Sequence, residues 1–240
     1  MRSRLLDARL SFLFAPGPDL TPDLAGVVAR DLDAVVASWV GHDRAITVLD
    51  ISGLPADTMA AVTGTVLRIV YDTLFWSGKL PISGRQQPLL VVLEEAHRIL
   101  PVGVDSSALR VTSQIAKEGR KYGVGLMVVT QRPTEIEPSV LSQCGTMIAL
   151  RLSNSADRSI VASVMPDDLG NLAAMLPALR TGEGLATGEA MPIPTRLRFR
   201  RASSKPVGDD PRVVDAWKKV ARPSDVHYAT ALENWRKQDV

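Results

Sequence analysis

A mostly parallel α/β sheet with helices on both faces is the fold this sequence predicts, and three observations carry it. The runs LLVVL, GLMVV and TMIAL are short, apolar throughout and rich in branched residues, as strands buried on both faces require. Stretches with helical spacing separate them. That alternation implies strand–helix–strand crossovers, which join parallel neighbours.

Taken in order, SFLF (11–14) reads as a strand ended by the Pro/Gly-rich turn APGPDLTP. Residues 23–40 carry Leu24, Val27, Val28, Leu32, Val35, Val36 and Trp39 at helical spacing, and Gly41 stops that helix. AITVLDIS (45–52) reads as a strand closed by Gly53-Leu54-Pro55. Asp57 is placed to cap a long helix running to about Trp76. PLLVVLEE is the next strand, followed by a helix over about 107–121 that ends at Gly123. GVGLMVVTQ (123–131) and TMIALRLS (146–153) are two further buried strands. Asn154 or Ser155 caps a helix through SADRSIVASVM, and DDLGNLAAMLPAL forms another short one. EGLATGEAMPIPTRLRFR reads as a hairpin. After Arg201 the linker ASSKPVGDDP leads to two short helical stretches. The expected division is a core over 1–200 and a basic helical extension over 201–240.

Hydrophobic residues at 45% and charged residues at 22% are those of an ordinary globular chain. Residues 1–195 carry 17 basic and 20 acidic side chains, whereas 196–240 carry 11 and 6. A basic tail suits nucleic acid or an acidic partner, although a solvated surface reads equally well. The single cysteine, Cys144, excludes an intramolecular disulfide framework and a Cys-rich zinc site. No run approaches a membrane span, and MRSRLLDARL lacks the apolar core of a signal peptide, so a cytoplasmic protein without membrane contact is expected.

The chemistry concentrates at strand ends. Glu94, Glu95, Gln131 and Arg151 all fall at or near the carboxyl ends of predicted strands, where open parallel sheets bind ligands. Beside a phosphate, one carboxylate can hold Mg²⁺ through water while its neighbour orients or deprotonates an attacking water. Gln131 can hydrogen-bond that water or the γ-phosphate, and an arginine from another subunit can neutralise developing charge. Each residue also has a plainer reading. The paired glutamates can open the next helix, Gln131 can belong to a turn, and Arg151 can face solvent. Arg120 and Lys121 can favour a helix C-terminus. His97, Met165 and Trp76 read as structural.

The wording around these residues is more specific. VVLEEAHRILP resembles the Walker B segment of DNA-pumping ATPases of the HerA/FtsK type, and AKEGRKYGVGLMVVTQRPTEIEPSVLSQCGTMIALRLSNSADRSIV resembles the stretch that follows it in the HerA family. ITVLDISGLP and GEGLATGEAMPIPTRLRF are similar to the same family. The resemblance implies a RecA-like core of the ASCE P-loop NTPase type. By position it makes Glu94 the Walker B acid and water-mediated Mg²⁺ holder, and Glu95 the catalytic glutamate. Gln131 becomes the γ-phosphate sensor that also contacts the nucleotide. Arg120 is the first choice for a finger reaching the neighbouring subunit, and Arg151 the second. It further implies ATP and Mg²⁺ as cofactors, a homohexameric ring, double-stranded DNA as the translocated substrate, and a nuclease partner in end resection.

A P-loop reads G-x-x-x-x-G-K-[ST], and its backbone N–H groups cradle the phosphates. The single Gly-Lys pair, Gly78-Lys79, has Thr73 where the first glycine belongs and Leu80 in place of the hydroxyl residue. It also follows a helix rather than a strand. The expectation is the C-terminal portion of a HerA-like ATPase without its phosphate loop and the strand that carries it. Such a portion is inactive alone, and an apolar sheet face left uncovered would drive self-association. The alternatives are a non-enzymatic subunit that assembles with P-loop-bearing chains, and an unrelated α/β binding module.

Overall fold

The computed structural model describes residues 8–80, 83–163, 165, 170–204, 213–218 and 225–237. Two compact units divide the chain, residues 55–201 and residues 1–54 with 202–240.

In the larger unit, α2 (Ala56–Trp76) starts directly after Pro55, so Asp57 lies within its first turn rather than at its cap. Met59, Thr63, Leu67, Val70 and Tyr71 are buried, at steps of four, four, three and one, which is one stripe of a helix. That stripe meets α3 (Ser107–Glu118), whose start is capped by Ser106 Oγ accepting from Leu109 N at 3.1 Å. Gly64 lets the two backbones touch, because a Cβ there would stand 2.4 Å from Ser107 Oγ and 2.6 Å from Ala108 N.

β1 (Leu89–Leu93) and β2 (Val124–Val128) pair in parallel with Leu89 opposite Val124, and α3 is their crossover. The α/β expectation therefore holds at the centre of the unit. α3 packs against β2. The sequence predicts strands buried on both faces, yet Leu90, Val92 and Met127 share an exposed face of this pair. At the entry to β2, Gly123 takes φ 75°, and a Cβ on it would collide with the Gly84 carbonyl.

A second sheet has the order β3 (Thr146–Ala149), β4 (Glu183–Gly188), β5 (Met191–Arg198) and is antiparallel throughout. The expected hairpin is present, and β3 joins it instead of the parallel pair. An apolar run specifies a strand but not which free ladder will reach it, because ladder bonds are made by backbone. Gly188, at φ 113°, lies so close to Gly145 that a Cβ would meet its carbonyl oxygen at 2.2 Å. Under this sheet, α4 (Ser155–Ser163) helps to form a core with Ala149, Val161, Met165, Leu176, Leu179 and Leu185. Met165 is thus a core residue, as the sequence suggests.

The smaller unit departs further from the sequence reading. SFLF is a short helical segment, Ser11–Phe14, rather than a strand. The helix expected over 23–40 is only α1 (Leu32–Val40), capped by Asp31. Asp23 explains the shortening, since its Oδ1 accepts from the backbone N–H of Ala25 at 2.8 Å and of Val27 at 2.9 Å. Those bonds offer the chain a turn in place of a helical start. Residues 45–52 form no strand: Ile46 and Val48 are 79% and 82% exposed, and no ladder partner lies beside them among the described residues. Strand propensity without a partner leaves backbone groups to water. The tail supplies two helical segments, α5 (Val213–Trp217) and α6 (Asp225–Lys237), and much of the expected linker lies outside the described residues. Among the described residues no helix is long and apolar enough to cross a membrane.

Candidate functional site

Parallel pairing in register brings the carboxyl ends of β1 and β2 to the same level. The ladder continues past the strands, with Val129 N donating to Leu93 O at 2.9 Å and Ala96 N donating to Val129 O at 3.0 Å. Between those two bonds the chain must pass Glu94 and Glu95 and reverse into the turn Ala96–Arg98. It does so through Glu95 at φ 48°, ψ 43°, the one non-glycine residue with positive φ among the described residues. A carboxylate residue in the left-handed region costs about 1–2 kcal/mol, and such strain concentrates at functional sites.

This bend aims Glu95 across the strand ends. Gln131 Nε2 donates to Glu95 Oε1 at 2.6 Å. His97 Nδ1 lies 3.4 Å from Glu95 Oε2 and 3.3 Å from the hydroxyl of Thr130. Thr130 Oγ1 also accepts from Arg132 N at 3.0 Å. Although the Glu95 side chain is 44% exposed overall, its Oε2 is shut off from solvent and makes no aligned hydrogen bond. The His97 contact is close enough for a charge interaction yet lacks hydrogen-bond alignment. Glu94, one residue earlier, is exposed and its carboxylate is free of hydrogen bonds within the described residues.

The loop behind Gln131 is anchored. Arg132 Nη1 donates to Glu135 Oε1 at 2.8 Å, and that bond holds the guanidinium above its ordinary pKa, with Asp157 and Glu95 adding smaller contributions. Asp157, buried in the first turn of α4, accepts from Thr134 N at 3.2 Å and from Thr134 Oγ1 at 2.8 Å. The segment carrying Gln131 is therefore fixed to the second sheet's helix.

Of the residues singled out from the sequence, the structure unites Glu95 and Gln131, with Glu94 at the same strand end. Arg120 does not join them. It is exposed in the turn Gly119–Tyr122 that precedes β2, at the opposite end of that strand. Five residues of strand separate the two ends by about 13 Å. Arg151 is exposed just beyond β3, on the other sheet. The sequence reading missed His97 and Thr130, which flank the glutamate and the glutamine. The available signal was position alone, two residues after Glu95 and one before Gln131.

The donor set fits an outer-sphere Mg²⁺ and a water held near a phosphoryl group, through a free carboxylate and an oriented one. Among the described residues no cluster of three or more His, Cys, Asp or Glu side chains could hold a metal ion directly. Gly78 and Lys79 lie in the 3-10 turn Ser77–Lys79 that closes α2, so their backbone does not open a helix toward a phosphate.

A family model for the helicase HerA-like C-terminal region matches residues 41–205. The chain is 31% identical over 182 residues to the DNA double-strand break repair helicase HerA of Sulfolobus acidocaldarius, covering 76% of this chain and 37% of that protein. With the corresponding protein of Pyrococcus furiosus it shares 36% over 143 residues, 56% of this chain and 26% of the relative. It thus spans only about a third of the length of such relatives. The genome packaging NTPase B204 from Sulfolobus turreted icosahedral virus 2, solved in complex with AMPPCP, aligns at TM-score 0.47 and 12% identity, over 62% of this chain and 73% of B204.

Proposed function

This chain belongs to the helicase HerA-like C-terminal family, and on that premise we propose that it carries the water-activating part of an ATP-driven translocase acting on double-stranded DNA. The observation that supports the reading best is the 2.6 Å hydrogen bond joining Glu95 to Gln131 across adjacent strand ends. Bound Mg²⁺–ATP supplies the transferable phosphoryl group and the charge that polarises it. Glu95 is the general base, and its carboxylate accepts a proton from the attacking water. Gln131 fixes the carboxylate through one amide hydrogen, and the other would be available to the γ-phosphate. Glu94, exposed and without a hydrogen-bond partner among the described residues, would hold Mg²⁺ through water. Arg120, far from its own chain's glutamate, faces outward to the neighbouring subunit's nucleotide in a homohexameric ring, with Arg151 as the second candidate.

A P-loop contributed by further polypeptide completes the site, so this chain alone hydrolyses no ATP. DNA is held by its backbone in a salt-sensitive way. The assembly works with a nuclease in end resection.

Isothermal titration with ATPγS and Mg²⁺ tests the division of labour. The isolated chain should not bind, and clear micromolar binding would overturn it. In an assembly that supplies the phosphate loop, Glu95→Gln should lower turnover by about 10²–10⁴-fold while nucleotide binding persists. Full turnover in that variant removes Glu95 from the mechanism.

A further inference from the structure

The hydrogen bond from Gln131 fixes only one oxygen of Glu95, and a carboxylate held at one point remains free to swing about it. The other oxygen, Oε2, is withdrawn from solvent without an aligned partner, an expensive position for a charged atom. It faces His97 Nδ1 at 3.4 Å, and the His97 side chain is only 12% exposed. The ring is seated on the turn Ala96–Arg98, directly behind the strained residue. A carboxylate can only accept, so a bare Nδ1 at this distance would set lone pair against lone pair. Thr130 Oγ1 competes for the same nitrogen at 3.3 Å while already accepting from Arg132 N. Were Thr130 to donate to a bare Nδ1, the ring would offer Oε2 no proton. Arg132 adds favourable charge to this corner without touching Oε2.

We propose that His97 is a positioning residue for Glu95: a proton on Nδ1 steadies Oε2 by electrostatic attraction across the 3.4 Å contact while Gln131 holds Oε1 by its hydrogen bond, and the two together fix the carboxylate plane. The proposal rests on the reading of Glu95 as the water-activating base, but the contact itself is testable without that reading.

The first arm uses the chain as it stands, labelled with ¹⁵N-histidine. His97 is one of three histidines, and its signals are those lost in His97→Leu. The Nδ1-protonated ring is expected, with a resonance that moves in Glu95→Gln and not in the remote control Glu189→Gln. A bare Nδ1, or a resonance indifferent to Glu95→Gln, overturns the proposal. The second arm compares isosteres in an assembly that supplies the phosphate loop. An asparagine amide nitrogen falls near the place of Nδ1, whereas a glutamine amide falls near Nε2. His97→Asn should keep turnover within about threefold, and His97→Gln and His97→Leu should lower kcat about tenfold at unchanged KM. Equal losses in the Asn and Gln variants at unchanged melting temperature overturn it. If Glu95→Gln leaves turnover intact, the catalytic reading of Glu95 fails, while the nitrogen spectrum still decides the contact.

Discussion

Glu95 combines a carboxylate held by Gln131 with an uncomfortable backbone. The left-handed conformation costs a non-glycine residue about 1–2 kcal/mol. Glycine would relieve that cost and lose about 0.5–1 kcal/mol through greater freedom of the unfolded chain. The first effect wins narrowly, since the hydrogen bond to Gln131 is exposed and contributes little to stability. Glu95→Gly should therefore melt at or slightly above the temperature of the parent by calorimetry, even as it removes the carboxylate. A clear loss of stability would mean that the carboxylate's contacts outweigh the strain. Tyr71 offers a second prediction at this scale. Its hydroxyl donates to Glu118 Oε1 at 2.9 Å, and burial, then that bond, push the phenol up to about 12. The neutral phenol is the form the fold favours, so its stabilisation is complete below pH about 10 and lost as pH rises through about 12. In an alkaline absorbance titration, one of the three tyrosines should ionise late, and Tyr71→Phe should abolish that lagging step.

At the scale of elements, α2 and α3 come into close contact at Gly64. Alanine is the better helix former by about 1 kcal/mol, so a surface glycine would be improved by the change. Here the added Cβ meets backbone at 2.6 Å, and backbone cannot turn aside as a flexible side chain would. Overpacking of this kind costs about 1–3 kcal/mol and outweighs the propensity gain. Gly64→Ala should lower the melting temperature by several degrees, and an increase would show that the two helices separate easily. The same helix pair determines which face of β1 and β2 is covered. Because α3 is the crossover between them, it must return over one face, and the other keeps Leu90, Val92 and Met127 in solvent.

For the whole molecule, that exposed face and the outer edges of β1 and β2, which have no ladder partner among the described residues, predict association. Sedimentation velocity should show a concentration-dependent increase in mass, reduced by Val92→Lys in the middle of the face. A strictly monomeric chain would count against the idea that this face requires cover. The separation of Arg120 from Glu95 within one chain leads to a second expectation. If the proposed ring forms, then in mixed assemblies of intact and Arg120→Ala subunits that are also supplied with the phosphate loop, ATPase activity should fall faster than the intact fraction, because each variant disables its neighbour's site. A decline in simple proportion would remove Arg120 from that role.

What was legible in the sequence is what local pattern encodes. Apolar runs located β1, β2 and β3, helical spacing located α2 and α3, and the position of Glu94, Glu95 and Gln131 after such runs marked the strand ends. Local pattern failed wherever a partner decided the outcome. ITVLDIS has strand composition but no ladder beside it, Asp23 diverts its neighbours into a turn, and β3 takes the hairpin as its partner. His97 marks the same limit inside the site. Its sequence context gives it only a structural reading, and only the left-handed bend at Glu95 and the register of β2 bring its Nδ1 to the same carboxylate that Gln131 holds. Sequence determined which residues lie at the strand ends, because periodicity is a property of the chain itself. Tertiary structure decided which of them meet, because a hydrogen bond depends on distances that only the packed backbone fixes.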